Sequence, residues 1–316
     1  MNWYHFINQL DVFSTSCGRL RPRRTGRRLF MLTLGGIAAA VIHKNSPASA
    51  MASATQCYVI ETKNGLLTAT FGDMVDDAAL TEAMPDLIAK GVQSVVLRNV
   101  PVEDLSLFPK LSGLKALDIC GTRVRDIRVL ATLSGLQSLN LQFLQIKDLT
   151  PLAHLTTLQT LNIGGTEVDD LAPIRGLINL RTLVLAVTRV KDVRPLAQML
   201  QMTMLDLDNT WVSDVRPLAG MINMRELRLN GSLVENVEPL ASMTNLVSLD
   251  LSATNVSNIS PLAYLRNLRK LNLEGTQVET VAPLASLNGL RSVSLGGSLV
   301  SDMTPLAHLP ALEISR

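Results

Sequence analysis

From Gly91 onward the chain repeats itself every 22 residues, ten times over, with no insertion or deletion up to residue 310. Each block carries an apolar residue at its second, fifth and seventh places, another at its twelfth, and a Pro-Leu-Ala-like turn near its end. The third block shows the frame: Leu136, Leu139 and Leu141, then Ile146, Asp148, Leu149, Pro151, Leu152, Ala153 and Leu155. One such block has too few apolar residues to form a core of its own and must cover them with the next, so the period demands a stack and not a pair of ordinary globular domains. Composition agrees: 47% of residues are hydrophobic, yet only 3% are aromatic.

Within a block, apolar residues at the fifth and seventh places with outward residues between them predict a short strand. Successive blocks would stack these strands in parallel into a sheet about 45 Å long at ~4.8 Å per strand. The return path is set by Pro151, Pro173, Pro195, Pro217, Pro239, Pro261, Pro283 and Pro305, each suited to the first position of a short helical turn, where a missing N–H costs nothing. Asp104, Asp126, Asp148, Asp170, Asp192, Asp214 and Asp302 stand three residues before that place, where their carboxylates can accept from free turn N–H groups. An acid that recurs once per block answers a demand of the repeat, not of catalysis. At the tenth place Thr122, Thr166, Thr188, Thr210, Ser232, Thr254, Thr276 and Ser298 offer hydroxyls to buried turn backbone. The row fails at Val100 and Leu144, where weaker turns are expected.

The period and the phrase V-x-D-x-x-P-L-A resemble the 22-residue bacterial class of leucine-rich repeats that includes the internalins. The resemblance implies an α/β fold class: a leucine-rich-repeat solenoid with a concave parallel β-sheet and short 3-10 or helical turns on its convex side. It also implies recognition of a partner through the concave face, and not an enzyme.

Residues 51–90 precede the frame. Cys57 to Lys63 and Leu66 to Phe71 flank Asn64-Gly65, a strong hairpin signal. Leu80, Met84, Leu87 and Ile88 then have helical spacing up to Gly91, with Pro85 expected to split that helix in two. Hairpin and helix together are expected to cap the first repeat. At residues 311–316 a short tail remains: Leu312 and Ile314 begin a strand that nothing is expected to complete, leaving a thinly covered end through which the chain could form a homodimer or be capped by a partner.

Residues 1–50 read as an export signal. Arg19, Arg21, Arg23, Arg24, Arg27 and Arg28 precede an apolar run from Leu29 to Ile42, too short for the ~20 residues of a spanning helix. Ala48-Ser49-Ala50 supplies a cleavage pattern. Arg27, Arg28 and Phe30, with Lys44 behind the apolar run, resemble the bacterial twin-arginine signal, although Gly26 stands where Ser or Thr is usual. That resemblance implies a periplasmic or secreted protein. A general export signal, an uncleaved anchor that would be the one membrane contact, an organelle presequence and a misassigned start stay open.

Beyond residue 50 the chain has 22 basic and 26 acidic residues, so no cationic excess gathers phosphates and a nucleic-acid partner is not expected. Nor is a cofactor or metal. His154 and His308 fall seven blocks apart, roughly 34 Å of stacking, too far to share an ion. Cys57 and Cys120 read as lone small hydrophobes, with a disulfide between them as the alternative. No glycine-rich phosphate loop or zinc-spaced cluster appears.

What remains is the outward row of the strands, at the fourth, sixth, eighth and ninth places. Blocks three to five are mostly bland there, with Ser138, Thr160, Thr182, Asn162, Val184, Gly164 and Ala186. Blocks six to nine carry Met204, Asp206, Asp208, Glu226, Arg228, Asn230, Asp250, Lys270, Asn272 and Glu274, with Trp211 near the rim and Phe143 as a further candidate. Equal places stack, so Asp206, Arg228 and Asp250 should form a column with one guanidinium between two carboxylates. Such a stripe with an aromatic anchor would suit a protein partner or an envelope polysaccharide. The alternatives are a ladder that only pairs its own charges, a self-assembling envelope structural protein, and an effector or regulatory protein acting inside a cell.

Overall fold

The computed structural model describes residues 57–309 and 311–316. The leader residues Arg27, Arg28, Phe30, Ala48 and Ala50 lie outside them. Thirteen strands form one sheet in strict chain order. Strands β1 (Tyr58–Lys63) and β2 (Leu66–Phe71) pair antiparallel with Lys63 opposite Leu66, and the turn between them places Asn64 and Gly65 at φ 50° and 77°. All later pairings are parallel. Strands β3 (Ser94–Val96) to β12 (Ser292–Ser294) occupy the fourth to sixth places of their blocks, so Leu183, Leu205, Leu227 and Leu249 lie in one row. That register is what a 22-residue period forces.

Between β2 and β3 runs α1 (Asp77–Ala89), begun by Asp76, whose carboxylate accepts from the Ala79 N–H. Pro85 lies inside α1 and does not split it. Its ring is on the exposed side, so water serves the carbonyl it leaves without a donor, while Leu80, Ala83, Met84 and Leu87 anchor the buried side. Ile88, expected on that apolar side, is exposed. The Tyr58 hydroxyl donates to Asp86 at 2.7 Å, and Asp77 accepts from the N–H groups of Glu103 and Asp104. Hairpin and helix are thereby tied to each other and to the first block, and their apolar side chains join the single core that runs the length of the stack.

On the far side, 3-10 turns such as Thr150–Leu152 and Arg194–Leu196 carry the prolines at their second residue, one place later than the sequence suggests. Asp148, Asp170, Asp192, Asp214 and Asp302 each accept from the N–H two residues on, and Asn236, Asn258 and Thr280 do the same where aspartate is missing. The tenth-place hydroxyls of Thr122, Thr166, Thr188, Thr210, Ser232, Thr254, Thr276 and Ser298 all donate to the carbonyl of their seventh-place residue. Leu144 lacks the hydroxyl, yet its own N–H reaches Leu141 O at 3.2 Å and the turn keeps its shape.

The other end departs from expectation. Glu313–Ser315 completes a thirteenth strand, β13, on β12, and Leu312 packs against the core. Its register pairs Ser292 with Glu313, one residue short of the repeat. Cys57 and Cys120 are both free thiols. No helix among the described residues is long and apolar enough to cross a membrane.

Candidate recognition surface

The sixth place, in the middle of the concave sheet, proves to belong largely to the backbone. Asp118, Asn140, Asn162, Asp206, Asp250 and Asn272 each turn a side-chain oxygen onto the N–H two residues ahead, at 2.9–3.1 Å. This Asx turn leads the chain into the ninth place, which has positive φ in all ten blocks, from 52° to 68°. Glycine fills it in half of them, but Phe143 and Val187 hold the same left-handed conformation at the cost their side chains impose.

In one of the blocks whose sixth place is not Asx, a neighbour takes over. Arg228 stands there in block seven, and the N–H it leaves, that of Asn230, is taken by Asp208 of the preceding block at 2.8 Å. Asp208 thus bridges two blocks. Burial, and next the charge of Asp206, push its carboxyl up to about 7. Asp206 itself is only 5% exposed, and burial raises its carboxyl too.

The expected column is present in register, with Asp206 beside Arg228 and Arg228 beside Asp250. Its pairing differs. The Arg228 guanidinium is bound by Glu226 of its own strand at 2.6 Å and by Asp206 at 3.5 Å. Asp250 instead accepts from Ser252 and from the Asn272 amide. The reason is reach: fourth and sixth places point to one side of a strand, so Glu226 meets Arg228 without crossing to another block.

Met204 is half-buried beside this group, and Lys270 and Glu274 are exposed farther along. Trp211 is 51% exposed, with the Lys191 ammonium 4.5 Å from its ring centre. Phe143 lies apart from them, its ring filling the space that a side chain at Gly165 would occupy. The structure therefore gathers Met204, Asp206, Asp208, Glu226 and Arg228 into one patch and leaves Phe143 separate. Missed from the sequence is an ion pair in the first blocks, the buried Asp118 with the half-buried Arg98 at 2.6 Å, where burial raises the carboxyl against the pull of the guanidinium. Its signal was present, an Asp at a sixth place with an Arg at the eighth place one block earlier.

Parallel strands in unbroken order, convex 3-10 turns and a leucine core make the chain a leucine-rich-repeat solenoid. Neither a family model nor a curated protein matches its sequence. Solved structures do. An internalin F from Listeria monocytogenes superposes with a TM-score of 0.60 at 20% identity, over 75% of this chain and 94% of that one. Internalin C2 from the same organism reaches 36% identity with a TM-score of 0.57, over 59% of this chain and 82% of that one. A plant peptide-hormone receptor in complex with RGF2 gives 0.62 at 14% identity, over 81% and 47%. The chain belongs to the internalin-like leucine-rich-repeat proteins.

Proposed function

We propose that this protein is an exported bacterial binding scaffold that holds another protein on the concave sheet of blocks six to nine. The carrying observation is a contrast within one surface. Sixth-place Asx residues are used by the turns, whereas Trp211, Lys270 and Glu274 are exposed and answer no need of the repeat. A half-exposed tryptophan beside a cation and a charged ladder is the composition of an interface centre with a polar border. That a plant receptor of this fold was solved holding RGF2 agrees with a polypeptide ligand. Recognition, and not catalysis, is the role this surface supports.

The test is crosslinking of the mature protein in its own cells, set against a variant with Trp211→Ala, Arg228→Ala and Glu274→Ala. Asp206 is left intact because its carboxylate holds a turn. Loss of the captured protein is expected. Capture of the same partner by both forms sinks the assignment, and capture of an envelope polysaccharide alone replaces its ligand class. The export half is tested separately by Arg27→Lys with Arg28→Lys: blocked processing is expected, and unchanged processing removes the twin-arginine route.

A further inference from the structure

The edge from which the strands are entered, formed by the last place of one block and the first, third and fourth of the next, has a character that neither the repeat nor the concave patch explains. In blocks seven to ten this edge carries Arg225, Arg266, Arg269, Lys270 and Arg291 against one acid, Glu226, which is bound to Arg228, with Glu313 of β13 at its end. Elsewhere many arginines are paired with a carboxylate, among them Arg98, Arg128, Arg194, Arg216 and Arg228. None of the ion pairs among the described residues involves Arg266, Arg269 or Arg291. The guanidinium of Arg269 lies flat over Gly289, in the space a side chain there would need, and donates to the Gly289 carbonyl at 2.6 Å. One of its five N–H donors is used and the group is held in place with the rest available.

Upstream along the same edge the last place turns apolar in three consecutive blocks. Ile178, Leu200 and Ile222 are 44–54% exposed, a column of aliphatic side chains that the core leaves half uncovered, with a Leu200 methyl over Gly220. Beside it runs a shallow groove lined by Gln137, Gln159, Asn179 and Gln201 with Thr157 and Arg181. Side-chain amides offer both donors and acceptors, the complement of a polypeptide backbone. In blocks seven to ten the opposite edge, by contrast, carries Glu235, Glu274 and Glu279 and no Lys or Arg, and repels an anionic chain.

We infer that this edge is a track for an extended acidic segment of another protein, whose aliphatic residues cover Ile178, Leu200 and Ile222 and whose carboxylates meet Arg266, Arg269 and Arg291. The track spans five strand spacings, about 24 Å, which roughly eight extended residues cover. A nucleic acid has the charge but no aliphatic groups for the column. A lipid surface has both but no use for a lining of amides. The inference does not depend on the concave patch: Lys270 and Glu226 border both surfaces, but neither is among the six residues the track uses.

The experiment is fluorescence anisotropy with the mature protein and a labelled 12-residue peptide, half Leu alternating with Ser and half Glu alternating with Ser, made in both orders. Controls are the same peptides with Lys for Glu, phosphatidylglycerol vesicles and an oligothymidine. Binding of an acidic peptide is expected, weakening at least about tenfold from low to physiological salt. Arg266→Glu, Arg269→Glu and Arg291→Glu together should weaken it a further ~10-fold or more, with an unchanged circular-dichroism melt because all three side chains are on the surface. Trp211→Ala with Arg228→Ala should leave it intact. Unchanged binding after the charge reversal overturns the inference, as does loss of binding in the Trp211 and Arg228 variant. Equal binding of the Lys peptide, or binding of vesicles or oligothymidine in place of the acidic peptide, overturns it also.

Discussion

The convex and concave sides of this solenoid use the same residue type to different ends. On the convex side an Asx or Thr oxygen caps every turn, and its place in the block never varies. On the concave side the sixth-place Asx caps a turn as well, but Val96, Val184, Arg228 and Ser294 depart from the row. Residues that recur are committed to backbone, and breaks in the row admit side chains that the turn does not require. Block seven shows it: Arg228 displaces the Asx, Asp208 crosses from the preceding block to repair the turn, and a charged patch results.

That contrast can be broken at several depths. The deepest is the shared core. Leu205→Ala, at a fully buried fifth place, should lower stability by about 2–5 kcal/mol in urea denaturation. A loss well below that range would mean the blocks collapse around the gap. Thr210→Val removes the hydroxyl that serves the Leu207 carbonyl and should cost about 1–3 kcal/mol by the same measurement, since the group is 1% exposed. No change would show that the tenth-place row is dispensable.

A smaller effect of opposite sign is expected at the ninth place. Val187→Asn puts a residue tolerant of left-handed backbone at φ 58° and should raise stability by about 0.5–1 kcal/mol. Destabilisation would show that the Val187 side chain contributes more by contact than its backbone costs.

The finest test is the pH dependence of stability. Asp208 is lifted to about 7, so the folded protein keeps a proton there that an unfolded Asp releases near ~3.9. Its contribution is therefore fully present below that lower value and is lost as pH rises through about 7. Burial raises Asp118 and Asp206 in the same sense. Asp126 and Asp214, held at about 2 by hydrogen bonds from Arg128 and Arg216, act oppositely, with stability present above the ordinary carboxylate range and lost toward pH 2. Between about pH 4.5 and pH 7.5 the carboxyls with raised values govern, and Asp208→Asn should flatten the decline in denaturation midpoint. It keeps the oxygen that accepts from Asn230. An equally steep decline in the variant would place the titration elsewhere.

Most of the fold was legible because a strict period needs little else: strands, turns, hydroxyl row and acid row all follow from residues recurring at fixed places. What escaped depended on local packing. Pro85 reads as a break, but Leu80, Met84 and Leu87 hold the helix on either side of it. The last strand slips by one residue because Ile314 follows Leu312 by two places, where a full block such as Leu290 to Val293 has three. For the surface, periodicity told which side chains stack but not which of them touch. Arg228 chooses Glu226 over Asp250 by reach along its own strand, and Arg98 finds Asp118 across the first two blocks.

Each strand hands its hydrogen bonds only to the strands beside it, so the molecule is built as a rack and not as a knot. Excising one complete unit, for example 135–156, would rejoin equivalent places and leave every remaining handshake intact. The protein would emerge one rung shorter, with its hairpin end brought nearer to the charged patch. Distance between parts of this molecule is thus a quantity that whole-unit loss or duplication can set, rung by rung, without redesigning any contact.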